Sequence, residues 1–542
     1  MRAITENQSE FADPVPLARL CMGVASGKKR TTMQHAFLRL ISALALTSVC
    51  FSPAPSVAQT PADDAANTAW QLKMILHMQR MRAFHDVNTG TQSTPPVIGQ
   101  NTKDADPSGM ISTFQPGGDT QTAGNPFFEN LGTNGRTCFT CHQPETGWGV
   151  SAQSVQDRFN SSSGADPIFR LVDGATCPTD DVSTPDKKLQ AYSLLLKKGL
   201  IRIGLPFPPP NAEFTISVKS DPYSCNTNPA TGLNSPTNAT SGIVSIYRRP
   251  LPSTNLGFLN IKDKDPTKIN AIMWDGREPN LESQSVDATL GHAQATASPS
   301  DAQQQEIVSF ESGLFTAQSF DNAAKNLHAD GAKGGPVELP GQLEEFFFGI
   351  NDPLGQNPTG APFDPNIFNL FQAWSSLPGK GGINKDRESV ARGETVFNTT
   401  KITITGVAGL NDVLKTESIP GFCGTCHDDP NVGNHSVKAP LNIGIADASP
   451  PALDVSGLPV FSLSCGGGIV VTDPGRALIS GKCADVGKFK GPILRGLAAR
   501  APYFHNGSAA TLMDVVNFYD QRFKIGFTDQ QKQDLVNFLN TL

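Results

Sequence analysis

The 542-residue sequence predicts a mainly α fold with long loops and few short strands, arranged as two units of related layout behind an N-terminal leader. Three observations predict it. CFTCH at 138–142 and CGTCH at 423–427 repeat one Cys-x-x-Cys-His pattern in distant parts of the chain. Several stretches near these motifs carry apolar residues at helical spacing. Fifty glycines and 42 prolines, gathered between the periodic stretches, mark loops.

Length alone suggests two to four domains. With 17% charged residues and a formal net charge of −7, nothing marks a nucleic-acid binder. A hydrophobic content of 38% fits a globular chain with long loops rather than a disordered one.

Residues 1–58 read as a cleavable export signal. Lys28-Lys29-Arg30 precedes an apolar run over 37–51, and the small-residue site Ser56-Val57-Ala58 stands before Gln59. Met33 is an alternative start. An uncleaved membrane anchor is the competing reading, opposed by Arg39 and by a run too short to span a bilayer comfortably. Cys50 is a weak lipid-attachment candidate, because Val49 precedes it where a small residue is wanted. The mature chain is therefore expected to be soluble in a periplasm-like, oxidising space.

Residues 59–124 are expected to form an N-terminal helix and loop extension. The helix covers 63–87, with Trp70, Met74, Met78 and Met81 recurring, and loop covers 88–124. A first unit spans 125–378 with insertions; its Pro/Asn/Ser-rich stretch 206–255 holds short strands such as 214–218. Helical patterns return at 303–317 and 343–348, and a Pro/Gly/Asn-rich connector covers 352–365. The clearest boundary is Pro378-Gly379-Lys380-Gly381-Gly382, after which a helix over 385–397 opens a second unit, 379–542. There Thr511 and Asp514 make a capping box, starting a helix with Leu512, Val515, Val516, Tyr519 and Phe523 on one face. A closing helix over 528–542 carries Leu535, Phe538, Leu539 and Leu542 on one side.

The spacing of CxxCH has a chemical reason. Two thiols separated by two residues can both add to the vinyl groups of one porphyrin, and the adjacent His then falls under the iron. Cys138 and Cys141 would attach one haem c, Cys423 and Cys426 a second, with His142 and His427 as proximal ligands. Chance matches, or zinc and redox CxxC pairs, are the alternatives; two full matches among ten Cys and nine His argue against them. Of the other cysteines, Cys21 and Cys50 fall in the leader. Pairing by proximity gives Cys177–Cys225 and Cys465–Cys483, with buried free thiols as the alternative.

The surroundings of the motifs carry a resemblance. FFENLGTNGRTCFTCH (127–142), MWDGREPNLESQ (273–284) and FKGPILRGLAARAPYFHNGSAATLMDVVNFYD (489–520) resemble segments of bacterial di-haem cytochrome c peroxidases and their MauG-type relatives. The likeness runs in matching order from about residue 125 to the C-terminus. It implies two cytochrome c-like domains facing each other across the haem pair. The haem at His142 would react with hydrogen peroxide, the haem at His427 would transfer electrons, and Trp274 would relay between them. The donor would be a small soluble protein, a cytochrome c or a cupredoxin. A calcium ion between the haems is also implied, with Asn255 in RRPLPSTN as its candidate, and a homodimer is left open.

Two departures from the family matter. The family places an acid about twenty residues beyond the tryptophan; counting without gaps lands here on Gln294. His292 stands close by. Its imidazole could take a proton from peroxide and return it, with Gln294 as a hydrogen-bonding neighbour. Alternatively it could bind the resting iron, or be a capping or core histidine. For the electron-transferring haem the peroxidases often use Met, whereas MauG-type members use Tyr. Tyr519 is the candidate, against a buried tyrosine bonded to the backbone; Met513 lies off the inward face. His505 is expected beside the haem rather than on it, and His435 has no clear role. The functions implied are a di-haem peroxidase, a MauG-like oxidase of a partner protein or organic substrate, or a non-enzymatic electron carrier.

Overall fold

The computed structural model describes residues 94–229, 232–233, 242–259, 271–379 and 381–542, with the backbone of His85–Asp86 and Thr91–Gln92. These fall in one compact unit, Trp70–Leu542. The leader and nearly all of the helix expected over 63–87 lie outside the described residues; His85–Asp86, at its end, pairs as strand with Thr91–Gln92. No helix among the described residues is long and apolar enough to cross a membrane.

Helix exceeds strand, about 30% against 16%, but strands are more numerous than expected. The largest departure is in 88–124, expected to be loop. Asn101–Asp106 and Gly109–Phe114 form an antiparallel hairpin extended by Phe315–Asp321 and Lys325–Asn326 into a four-stranded sheet. The turn is local chemistry: Asp106 Oδ1 accepts from the Ser108 and Gly109 amides at 2.7 and 3.0 Å. The polar edge strand NTKDAD hides the pattern, because only its neighbour packs inward on both sides. That neighbour positions the first motif, since Thr113 Oγ1 accepts from Trp148 Nε1 at 2.8 Å.

The same sheet shortens the helix expected over 303–317. Asp301–Ser312 is helical, opened by a Ser300/Gln303 capping box, and Gly313 ends it so that Phe315–Asp321 can pair with the hairpin. The pattern at 343–348 begins earlier, as the helix Leu339–Glu345.

The two expected halves interleave. Ile216–Ser220 pairs with Val460–Leu463, which pairs in turn with Ile469–Val471. One core cluster combines Phe159, Ile203 and Val244 with Phe461, Leu463 and Val471. The linker around residue 379 therefore separates the two motifs in sequence without separating the packing. Each half carries strands whose partners lie in the other. The disulfides are Cys177–Cys225 and Cys465–Cys483, the pairing given by proximity.

The second motif rests on a helical layer. Ile383–Thr399 packs against the closing helix Asp529–Leu539, burying Val390, Phe397, Leu535, Phe538 and Leu539. Close approach at the crossing requires Gly393, where a Cβ would fall 2.0 Å from the Asp534 carbonyl oxygen. Alanine there gains roughly 1 kcal/mol of helix propensity but overpacks the crossing by more. Gly393→Ala is expected to lower stability by a net ~1–2 kcal/mol, read as a fall in thermal midpoint of several degrees.

Candidate active site

Both CxxCH segments fold alike. Cys138–Thr140 and Cys423–Thr425 are single 3-10 turns. In each, the threonine hydroxyl accepts from the amide three residues back, Thr137 N at 3.0 Å and Phe422 N at 2.9 Å. The Cys and His amides that follow donate to the first cysteine's carbonyl. One turn thus gathers two thiols and an imidazole from five consecutive residues. None of the four cysteines is in a disulfide.

The imidazoles are oriented in the same way. His142 Nδ1 meets the Trp148 carbonyl at 2.9 Å, and His427 Nδ1 meets the Gly433 carbonyl at 2.8 Å, each six residues ahead. A carbonyl accepts only, so Nδ1 carries the proton and Nε2 keeps its lone pair. Phe127 lies 6.3 Å from His142 at 54°, and Phe397 lies 6.3 Å from His427 at 55°. Burial lowers both histidines, His142 to about 4, which favours the neutral, ligating form.

Each motif opens on its own cavity, of about 1550 Å³ and about 1730 Å³ respectively including the mouth. The first is lined by Cys138, Cys141 and His142 and is chemically mixed, with Arg136, Asp173, His292 and Glu311. The second is lined by Cys423, Cys426 and His427 and by aliphatic and aromatic side chains, with Tyr519 on its wall.

Trp274, 9% exposed, lines both cavities. Its indole N–H donates to the Arg249 carbonyl at 2.8 Å, and its own carbonyl accepts from Lys490 N at 2.9 Å. His505 is not on either wall. It is buried behind Trp274, 6.2 Å from that ring, and stacks on Phe489 at 3.9 Å.

These residues fit two covalently held haems, by donor chemistry and by charge. Arg249 and Lys490 line both cavities and Arg500 lines the second. Among the described residues none of the three pairs with a carboxylate; they donate to backbone carbonyls. Burial lowers Lys490 to about 8, Arg249 to about 9 and Arg500 to about 10. Buried cations without counterions are costly, and the propionates of a haem are anions that would offset them.

The remaining candidates divide. His292 caps the helix Leu281–Gly291, lines the first cavity, and bonds through Nδ1 to Asp173 Oδ2 at 2.5 Å. Gln294 does not line it. The chain turns at Gln294 (φ 55°), leaving its side chain exposed, with the amide oxygen 3.2 Å from Asn134 Nδ2. The count from the tryptophan reached it, but the end of the helix two residues earlier turns it outward. Tyr519 lines the second cavity and stacks on Phe523; its hydroxyl has no hydrogen bond among the described residues, and burial raises it. Met513 is not on that wall. His435 is, with Nδ1 2.9 Å from Asp428 Oδ1. Asn255 turns both side-chain atoms to the Thr316 backbone, Oδ1 at 3.0 Å and Nδ2 at 2.9 Å, so its side-chain amide clamps the sheet.

Two residues of the first cavity had no sequence signal. Glu311, in the helix Asp301–Ser312, is a buried carboxyl raised by burial to about 7, with Oε2 unpaired. Asp173 sits in the unremarkable run LVDGATC.

Comparisons with known proteins match short parts of the chain. Residues 488–525 match the family described as RoxA-like, cytochrome c-like. Cytochrome-c peroxidase IdrP1 of Denitromonas iodatirespirans is 41% identical over 69 residues, 11% of this chain and 18% of that protein. IdrP2 of the same organism is 42% identical over 78 residues, 13% and 21%, and IdrP1 of Pseudomonas sp. (strain SCT) is 37% identical over 81 residues, 13% and 21%. The chain thus spans about a fifth of the length of these relatives. A solved structure of a MauG-like protein associated with microbial copper homeostasis covers 55% of this chain and 74% of its own, at 18% identity and a TM-score of 0.29, too distant to bear on the fold. In short segments, then, the chain is similar to curated cytochrome-c peroxidases and to the RoxA-like, cytochrome c-like family.

Proposed function

We propose that the chain is an exported di-haem c-type peroxidase that reduces hydrogen peroxide with electrons from a small soluble donor, a cytochrome c or a cupredoxin. One observation carries the reading. Two cavities with the same CxxCH floor differ in their walls, the first with His292 and the carboxylates Asp173 and Glu311, the second with no carboxylate on its lining, and Trp274 borders both. Haem bound at Cys138 and Cys141 would supply the iron at which the O–O bond is cleaved, and haem at Cys423 and Cys426 the entry for electrons.

The chain's own residues then have distinct tasks. His142 and His427 would hold the irons through Nε2, which keeps its lone pair because Nδ1 bonds the Trp148 and Gly433 carbonyls. His292 moves a proton at the peroxide, its free Nε2 serving as the base because Nδ1 is engaged by Asp173. Trp274 offers an aromatic ring between the cavities, fixed by its bond to Arg249. Two disulfides support a location outside the cytosol, in a periplasm-like space.

A second reading, a MauG-like oxidase of a partner protein or organic substrate, is favoured by Tyr519, whose hydroxyl has no hydrogen bond among the described residues and whose ring lines the second cavity. One experiment separates the readings. Purified protein receives hydrogen peroxide together with a reduced small cytochrome c or cupredoxin. A peroxidase is expected to oxidise donor catalytically with the stoichiometry of a two-electron reduction. An oxidase is expected to hold a long-lived peroxide-oxidised state and leave the donor reduced. No response to peroxide in spectrum or turnover sinks both and leaves an electron carrier.

A further inference from the structure

The first cavity is lined by a buried carboxylate, Asp173, held against His292. Asp173, 4% exposed, uses its two oxygens on different partners. Oδ2 lies 2.5 Å from His292 Nδ1, and Oδ1 lies 2.5 Å from Arg136 Nη1. Arg136 stands two residues ahead of Cys138, and its guanidinium also donates to the Pro167 and Ile168 carbonyls and, at 3.3 Å, to that of His292. Asn134 Nδ2 donates to the same His292 carbonyl at 2.8 Å, and the Thr133 amide to that of Ala293 at 3.0 Å. Gly132 packs so tightly here that a Cβ would fall 1.8 Å from the Ala293 oxygen. The segment leading into the first thiol therefore grips the 292–294 backbone directly and holds the histidine's carboxylate partner through Arg136. Burial alone would raise the Asp173 carboxyl, but Arg136 and His292 outweigh it and hold it below the usual carboxylate range.

We propose that Asp173 is a positioning residue for peroxide chemistry: its carboxylate fixes His292 in the tautomer that turns the Nε2 lone pair to the cavity, and steadies the imidazolium formed when that nitrogen takes a proton. The inference rests on the proton-handling role given to His292. Nε2 removes one proton from the peroxide oxygen nearest the iron and delivers the same proton to the departing oxygen. Haem bound at Cys138 and Cys141 would supply the two electrons for O–O cleavage, and the departing oxygen would leave as water. Two electrons from the reduced donor and two solvent protons convert the remaining oxygen to a second water. Asp173 keeps its charge throughout and acts through His292.

A buried ion pair with Arg136 that only supports the loop is the competing role, and a double-mutant cycle separates them. Wild type, Asp173→Asn, His292→Ala and the double variant are each confirmed to carry two haems. The isosteric amide keeps an acceptor for Arg136 but offers an N–H to His292, which forces the proton onto Nε2 and removes the base. Asp173→Asn is expected to lower kcat/KM for hydrogen peroxide about 10- to 100-fold, and to cost nothing further in the His292→Ala background. Equal losses in both backgrounds overturn the inference alone, as does an unchanged rate in the single variant. An unchanged rate in His292→Ala overturns the role of His292 and this inference with it. Should Asp173→Asn lose haem, Asp173→Glu replaces it in the cycle, since it keeps the charge beside Arg136. Displacing the carboxylate by a methylene is then expected to cost about tenfold with His292 present and nothing without it; equal loss in both overturns the proposal.

Discussion

Replacing His292 by alanine is expected to lower peroxide turnover by about 10²- to 10⁴-fold, the range for loss of a positioned acid-base group. The basis is geometric. His292 lines the cavity of the first motif, and its Nδ1 is held 2.5 Å from a carboxylate. Haem attachment should survive, because Cys138, Cys141 and His142 come from one turn that His292 does not help to build. The side chain is 36% exposed, so its truncation opens no sealed core cavity. Steady-state peroxide reduction, with haem content from mass spectrometry of the same sample, gives the answer. Turnover within a factor of about three of wild type, at full haem content, removes His292 from the chemistry.

The largest stability effect is expected at Asp473. Arg248 is fully buried and held by two carboxylates. Nε and Nη2 bind Asp473 at 2.7 and 3.0 Å, and Nη1 binds Asp275 Oδ2 at 2.5 Å. Asp275 follows Trp274 directly, and Asp473 lies in the other half of the sequence, so this triad pins the wall between the cavities. Burial pushes both carboxyls up, yet Arg248 outweighs it and holds both below the usual range. Asp473→Ala leaves a buried guanidinium half-paired and is expected to cost about 3–5 kcal/mol, seen as a lower midpoint in chemical denaturation. The sign with pH follows from depressed folded-state values. The stabilisation is complete above the ordinary carboxylate range and is lost as pH falls through the folded values. Wild type should therefore lose stability in acid more steeply than Asp473→Ala. A midpoint unchanged by the substitution contradicts the triad's role.

Local chemistry was readable along the chain. The two CxxCH turns, the Thr511/Asp514 capping box and the closing helix were all visible because each is built from near neighbours. The two disulfides also followed from proximity in sequence. The hairpin Asn101–Asp106/Gly109–Phe114 was not visible, because its outer strand is polar and its central partner comes from Phe315–Asp321. Gln294 was reached by counting residues, and counting does not know where a helix ends.

By itself the sequence determined that two thiol pairs, each followed by an imidazole, are gathered in single turns, since each set comes from only five consecutive residues. Only the tertiary structure decided which side chains face each cavity. Asp173 meets His292 across 119 residues, and Arg248 meets Asp473 across 225. Such pairs leave no periodic trace, because a buried charge is stabilised by whatever the packing brings within bonding distance, however far apart in the chain.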